Sequence, residues 1–151
     1  MIIAVGCDQA GLELKNLLAR ELDVAGVQVE DLSPTPAVDY PDAARAVAGA
    51  VAEGRADQGI LVCGTGIGMS IAANKVEGVR AAMCADPFSA RMSREHNGAN
   101  VLCLGGRTLG SGTATEILHA WLAAQPSVEE RHVRRRDKVS SLERSETGLS
   151  S

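Results

Sequence analysis

Five short apolar runs, each followed by a stretch with helical spacing, constrain this chain more than any other feature. The runs cover residues 2–5, 27–32, 59–63, 79–84 and 101–105. Between them, the leucines at 14, 17, 18 and 22 share one helical face within 11–25, and apolar spacing recurs over 43–51, from 68 to about 75, and over 87–95. A further amphipathic stretch follows at 113–124. Punctuation agrees with this reading: Gly26 and Gly54 stand where helices stop, Pro41 and Pro87 where helices begin, and Asp86 in an N-cap position. Residues 33–38, with two prolines, read as a loop. Parallel strands need crossover helices, and those helices cover the sheet on both faces. The expected fold is therefore α/β, a Rossmann-like three-layer α/β/α sandwich around a five-stranded parallel sheet.

A length of 151 residues fits one domain. We place it over residues 1–146, with a basic C-terminal arm at 127–146 and a frayed tail at 147–151. Aromatic residues make up 2% of the chain, so Ala, Val, Leu and Ile must build the core. A net charge of −4 argues against general affinity for nucleic acid or anionic membranes. The N-terminal apolar run is too short for a signal peptide or a membrane span. Cys7, Cys63, Cys84 and Cys103 each lie near the end of an apolar run and form no Cys-x-x-Cys pair, which suits reduced, packed thiols in a cytoplasmic protein without a disulfide framework or zinc site.

In open parallel sheets ligands bind beyond the carboxyl ends of the strands. Three such ends carry polar groups: Cys7-Asp8-Gln9, Cys63-Gly64-Thr65-Gly66-Ile67-Gly68 and Gly105-Gly106-Arg107. The second is a glycine loop whose backbone N–H groups can face an anion. Its spacing is Gly-x-Gly-x-Gly, not the dinucleotide Gly-x-Gly-x-x-Gly, and no Gly-Lys-Ser/Thr follows. A plain strand-to-helix turn would also use these glycines. Cys63 adds chemistry, since a thiol between a strand end and a helix start is where a thiolate is stabilised.

The chain resembles the ribose-5-phosphate isomerase B family, which includes the galactose-6-phosphate isomerase subunits. The resemblance spans about residues 1–143. It rests on Gly6-Cys7-Asp8-x-Ala10-Gly11, Asp39-Tyr40-Pro41, and Cys63-Gly64-Thr65-Gly66-x-Gly68 followed by Ile71-Ala72-Ala73-Asn74-Lys75. It continues in Arg94-Glu95-His96-Asn97, Gly105-Gly106-Arg107 and Arg131-His132-x-x-Arg135.

What the resemblance implies is an aldose–ketose isomerase that needs no cofactor or metal and works through an enediolate. Cys63 would be the base, with Thr65 bonding the reacting centre or positioning the thiol. Backbone groups of Gly64, Gly66, Ile67 and Gly68, with the Asn97 side chain, would receive the negative oxygen. His96 would open the sugar ring, because imidazole gains and loses protons near neutral pH. Asp8 would bind sugar hydroxyls, or simply cap a helix, and Tyr40 would border the substrate. Arg107, Arg131 and Arg135 would grip the phosphate. In a helix the last two lie one turn apart on one face, whereas Arg134 and Arg136 read as solvated. The resemblance also implies a homodimer, or a dimer of dimers, with His96, Asn97 and Arg107 reaching a site whose cysteine belongs to the neighbouring subunit.

One position departs from the family pattern. The family reads Asp-His-Ala-Gly in the first loop, where the histidine helps bind phosphate; this chain has Gln9. Glutamine donates a hydrogen bond but carries no positive charge. Ribose 5-phosphate/ribulose 5-phosphate leads as the substrate pair, with a tetrose 4-phosphate or another pentose or hexose phosphate as the alternative. A non-catalytic sugar-phosphate sensor is the rival class, and it would not need Cys63, Thr65, His96 and Asn97 together.

Overall fold

The computed structural model describes residues 1–35 and 38–147. The tail expected from residue 147 lies, from 148 on, outside the described residues, as do positions 36 and 37 of the proline loop. The elements are β1 (Ile2–Cys7), a 3-10 turn (Gln9–Gly11), α1 (Leu12–Val24), β2 (Gln28–Asp31), α2 (Tyr40–Ala52), β3 (Gln58–Cys63) and α3 (Ile67–Ala73). They continue with β4 (Ala81–Met83), α4 (Pro87–Glu95), β5 (Val101–Gly105), α5 (Ser111–Ala123) and α6 (Glu130–Thr147).

All five strands are parallel, in the order β2-β1-β3-β5-β4. The chain moves outward from β1 to β2, then crosses back past β1 to β3. Right-handed crossovers put α1 and α2 on opposite faces when the direction reverses. A crevice therefore opens at the carboxyl ends of β1 and β3, where the register sets Cys7 beside Val62 and Cys63 beside Gly105.

Alternation along the strands divides the core in two. Ile3, Val5, Ile60, Val62, Leu102 and Leu104 pack against Leu14, Leu18 and Leu22 of α1, Ala90 of α4, and Ile117, Leu118 and Trp121 of α5. Ala4, Leu61, Cys63, Val101 and Cys103 meet the alanine-rich α2 and Met69 and Ala73 of α3. Small residues set the α2 distance: a Cβ at Gly59 or Gly6 would stand 2.6 or 2.8 Å from the Val47 methyls. Trp121 is fully buried, and its indole N–H donates to Gln58 Oε1 at 2.8 Å. Truncating such a side chain costs about 3–5 kcal/mol.

The expected α/β/α sandwich is the observed architecture, and the element boundaries shift for local reasons. β4 covers three residues rather than six. The Val79 N–H turns back to Val76 O at 3.1 Å, and the Asn74 amide pairs with both backbone groups of Ala81 (2.8 and 3.0 Å), covering that edge. The leucine face of α1 also includes Lys15, 1% exposed. Its ammonium donates to Asp31 Oδ2 at 2.6 Å and Ser33 O at 2.9 Å, tying α1 to the end of β2. Among the described residues no helix is long and apolar enough to cross a membrane.

A Cβ at Gly11 would fall on the Val62 carbonyl, whereas one at Gly49, inside α2, would meet nothing within 4 Å. In urea denaturation, Gly11→Ala is expected to lose about 3 kcal/mol or more. Gly49→Ala is expected to gain about 0.5–1 kcal/mol. Equal effects at the two positions would refute the close loop packing inferred here.

Candidate active site

Cys63 ends β3 at the floor of the crevice, 5% exposed. Beyond it the backbone turns sharply through Gly66, whose φ of 80° lies in the left-handed region. That turn aims the Gly66 N–H at Cys63 Sγ, 3.2 Å away. Thr65 Oγ1 accepts from the Ile67 N–H at 3.2 Å, so the hydroxyl shapes the loop from its exposed side. The loop after β5 locks onto this one: the Gly106 N–H donates to Cys63 O at 2.7 Å, and the Arg107 N–H to Gly64 O at 3.0 Å.

Side chains from two further elements border the loop, and the end of β1 lies beside it. A Cβ at Gly64 would lie 3.6 Å from Arg107 Nη1, so the guanidinium stands over the start of the loop. The Tyr40 ring, from the first residue of α2, packs on Gly68, where a Cβ would be 2.7 Å from Cε2. Asp8 accepts from the Gly11 N–H at 3.1 Å and caps the 3-10 turn, the capping role weighed for it from sequence. Gln9 follows it, exposed at the rim.

The other three thiols are buried and free. Burial pushes Cys7 up to about 11, and Cys84 and Cys103 are raised for the same first cause. Each therefore stays protonated near neutral pH.

His96 and Asn97 lie elsewhere on the chain. They follow α4, with His96 at its C-cap, and line a groove of about 610 Å³ together with Asn74, Arg80, His132 and Arg135. The His96 and His132 rings stack, centroids 4.2 Å apart and planes 9° apart. His132 is 6% exposed; burial first, then His96 and Arg131, hold its pKa below the ordinary 6.5. Neither Cys63 nor its loop lines this groove.

The sequence-selected residues thus form two groups. Asp8, Gln9, Tyr40, Cys63, Gly64, Thr65, Gly66, Ile67, Gly68 and Arg107 surround the crevice; His96, Asn97 and Arg135 share the groove. Arg107 stands with the thiol of its own chain, not with His96 and Asn97 as expected, because its backbone is hydrogen-bonded to the Cys63 loop. Arg131, one turn before Arg135 on α6, is exposed, pairs with Glu129 at 2.9 Å, and does not line the groove.

Arg136 also corrects the sequence reading. It is not solvated: its guanidinium donates to the carbonyls of Ser127 (2.7 Å), His96 (3.4 Å) and Glu95 (3.5 Å). Arg94 is another such strut, stacked over Trp121 with Nη1 donating to Ala99 O at 2.6 Å. The stack of His132 on His96 was not foreseen from the sequence, because no local pattern announces it.

The family model described as Ribose/Galactose Isomerase matches residues 3–139. Ribose-5-phosphate isomerase B of Escherichia coli (strain K12) is 46% identical over 143 residues, covering 93% of this chain and 95% of that protein. D-erythrulose-4-phosphate isomerase of Pectobacterium atrosepticum is 47% identical over 126 residues, covering 82% and 83%. The solved structure of Clostridium thermocellum ribose-5-phosphate isomerase B is similar with a TM-score of 0.93 at 46% identity, covering 96% of this chain and 99% of that one.

Burial of His132 makes stability depend on pH. Between the lowered folded pKa of His132 and the ordinary 6.5, the unfolded chain binds more protons, so stability rises with pH in that window and falls as pH drops below 6.5. In calorimetry from pH 7.5 to 5, wild type is expected to lose more thermal stability than His132→Phe, which stacks without titrating. Identical pH slopes for the two proteins would contradict this.

Proposed function

The chain belongs to the ribose/galactose isomerase family and is a sugar-phosphate isomerase, and from that premise we propose that Cys63 is the base of an aldose–ketose proton shift. The Cys63 thiolate takes the proton from C2 of the open-chain aldose phosphate. The C–H electron pair becomes the C1=C2 bond of an enediolate with its charge on O1; a proton passes from the C2 hydroxyl to O1, the proton held on Cys63 returns at C1, and C2=O forms to give the ketose. Backbone N–H groups of the loop from Gly64 to Gly68, with the Asn97 amide, receive the negative oxygen. Thr65 holds the loop. The observation that carries this reading is the Gly66 N–H pointed at Cys63 Sγ, 3.2 Å away, at the carboxyl end of a strand beside the sheet's direction reversal.

His96 performs the earlier step for sugars that close into rings, protonating the ring oxygen while a base accepts the anomeric hydroxyl proton. Asp8 binds sugar hydroxyls, Tyr40 borders the substrate, and Arg107, Arg131 and Arg135 receive the phosphate. Because Cys63 and His96 lie in different parts of one chain, the proposed working unit is a homodimer in which each crevice is completed by the partner's groove. Ribose 5-phosphate/ribulose 5-phosphate is the proposed substrate pair. Gln9, exposed and uncharged at the crevice rim, favours a second reading on a tetrose 4-phosphate, the substrate length named for the Pectobacterium relative.

A coupled assay over four-, five- and six-carbon aldose phosphates tests the activity. Cys63→Ala is expected to lower kcat by about 10²–10⁴ while the phosphate ester still binds; undiminished turnover would remove Cys63 from its role. Mixing Cys63→Ala and His96→Asn subunits after joint unfolding and refolding tests the shared site. Random pairing should restore about a quarter of wild-type activity, since half the dimers then carry one intact site of two. No recovery above the separate variants would refute a site built from two chains.

A further inference from the structure

The last carbonyls of a helix have no partners within it. At the end of α4 the N–H groups of His96, Ala99 and Gly98 take the carbonyls of Met92, Ser93 and Arg94, and the carbonyls of Glu95 and of the turn that follows are taken by cations from three places in the chain. Gly98 O accepts from Arg80 Nε at 3.0 Å, and Ala99 O from Arg94 Nη1 at 2.6 Å. Glu95 O and His96 O accept from Arg136 Nη1 at 3.5 and 3.4 Å. The turn so held is the one that carries His96 and Asn97.

Arg136 differs from the other two guanidiniums because it belongs to α6. It follows Arg135, which lines the groove, and stands one helical turn after His132, which stacks on His96. The stem of Arg136 passes over Gly98, where a Cβ would come within 2.8 Å of its Cδ. Its other nitrogen donates to Ser127 O at 2.7 Å, before α6 begins. One helix thus grips the His96 turn twice, by a ring on the imidazole and by a planar fork on the backbone behind it. A lysine ammonium, a single point on a flexible stem, cannot span those carbonyls.

We infer that Arg136 is a positioning residue that fixes His96 to the helix carrying Arg135, so that phosphate seating and ring-opening geometry are set together. This rests on the reading of His96 as the ring-opening acid/base. An aldopentose 5-phosphate closes a ring through its C4 oxygen and needs that step. The corresponding 2-ketose cannot close a five-membered ring, because its C5 oxygen carries the phosphate. Solvent deuterium entering C1 of the ketose therefore reports the Cys63 step alone.

The test compares wild type, His96→Asn, Arg136→Met and Arg136→Lys. Arg136→Met and Arg136→Lys are expected to lower kcat on ribose 5-phosphate by roughly 10- to 100-fold, as a small misplacement of an acid/base does. Deuterium entry into ribulose 5-phosphate should stay within about threefold of wild type, and His96→Asn should show the same split. If His96→Asn shows the split while Arg136→Met lowers both rates in proportion, or neither, the positioning role is overturned. If His96→Asn shows no split, or wild type does not turn over this pair, the ring-opening reading fails instead. The role of Arg136 is then decided by imidazole NMR of the folded variants. Arg136→Lys keeps the charge, so displaced His96 and His132 ring resonances support the inference, and wild-type resonances overturn it.

Discussion

Three loops that approach one another without room for a side chain govern the crevice. Gly11 lies against the Val62 carbonyl, Gly106 against the carbonyl of Ala10, Gly66 against the backbone of Leu104, and Gly105 against the backbone of Thr65. At each, a Cβ would force backbone apart. This closeness lets the strand pairing of β3 with β5 continue into the loops, through Gly106 N–H to Cys63 O and Arg107 N–H to Gly64 O. The amides around Cys63 are therefore fixed before any ligand arrives. Donors that need not reorganise stabilise a forming anion far better than mobile ones, and that is what an enediolate requires.

The remaining contacts carry this rigidity outward. Lys15 joins α1 to Asp31 and Ser33, and the Ser33 N–H also donates to Asp31 Oδ1 at 2.9 Å. The segment that leads to Tyr40 is thereby anchored at its start, and Tyr40 is anchored at its end by Gly68. A buried ammonium is costly unless paired, and this one has two partners. Beyond the sheet, α6 is held to the body by the His96–His132 stack, Arg136 and the Glu143 carboxylate, which accepts from the Gly78 N–H at 3.1 Å.

The sheet was legible because strands buried on both faces must be almost wholly apolar, and residues 2–5, 59–63 and 101–105 are. The Asp86-Pro87 start of α4 was legible for a local reason: the Asp86 side chain accepts from the Ser89 N–H at 2.7 Å within the same turn. Contacts distant in sequence were not. Arg134, Arg135 and Arg136 are one residue type in a row, and only the phase of α6 against the end of α4 separates an exposed arginine from a groove-lining one and a strut. Lys15 interrupts a leucine face and looks like its polar border until Asp31 arrives from β2. Resemblance to relatives grouped Arg107 with His96; the hydrogen bond from its own N–H to Gly64 O ties it to the thiol loop instead.

The division of the chain into a crevice with a thiol and a groove with an imidazole fits the chemistry proposed for it. Ring opening moves protons on the ring oxygen and the anomeric hydroxyl, and isomerisation moves one from C2 to C1, so the two steps need acid/base groups at different atoms of the same short carbon chain. A crevice open to water would weaken the dipoles that face the enediolate. Around the Cys63 loop the apolar side chains of Ile67, Ile71 and Met83 are left 51%, 60% and 41% exposed, and Met83 reaches within 3.0 Å of a Cβ placed at Gly66. In the proposed homodimer a twofold axis brings each groove to the other chain's crevice, and the same contact that supplies His96 and Arg135 removes water from around the sulfur. Covering the site and completing it then become one event, and a monomer would have a correctly built loop with too little around it to act.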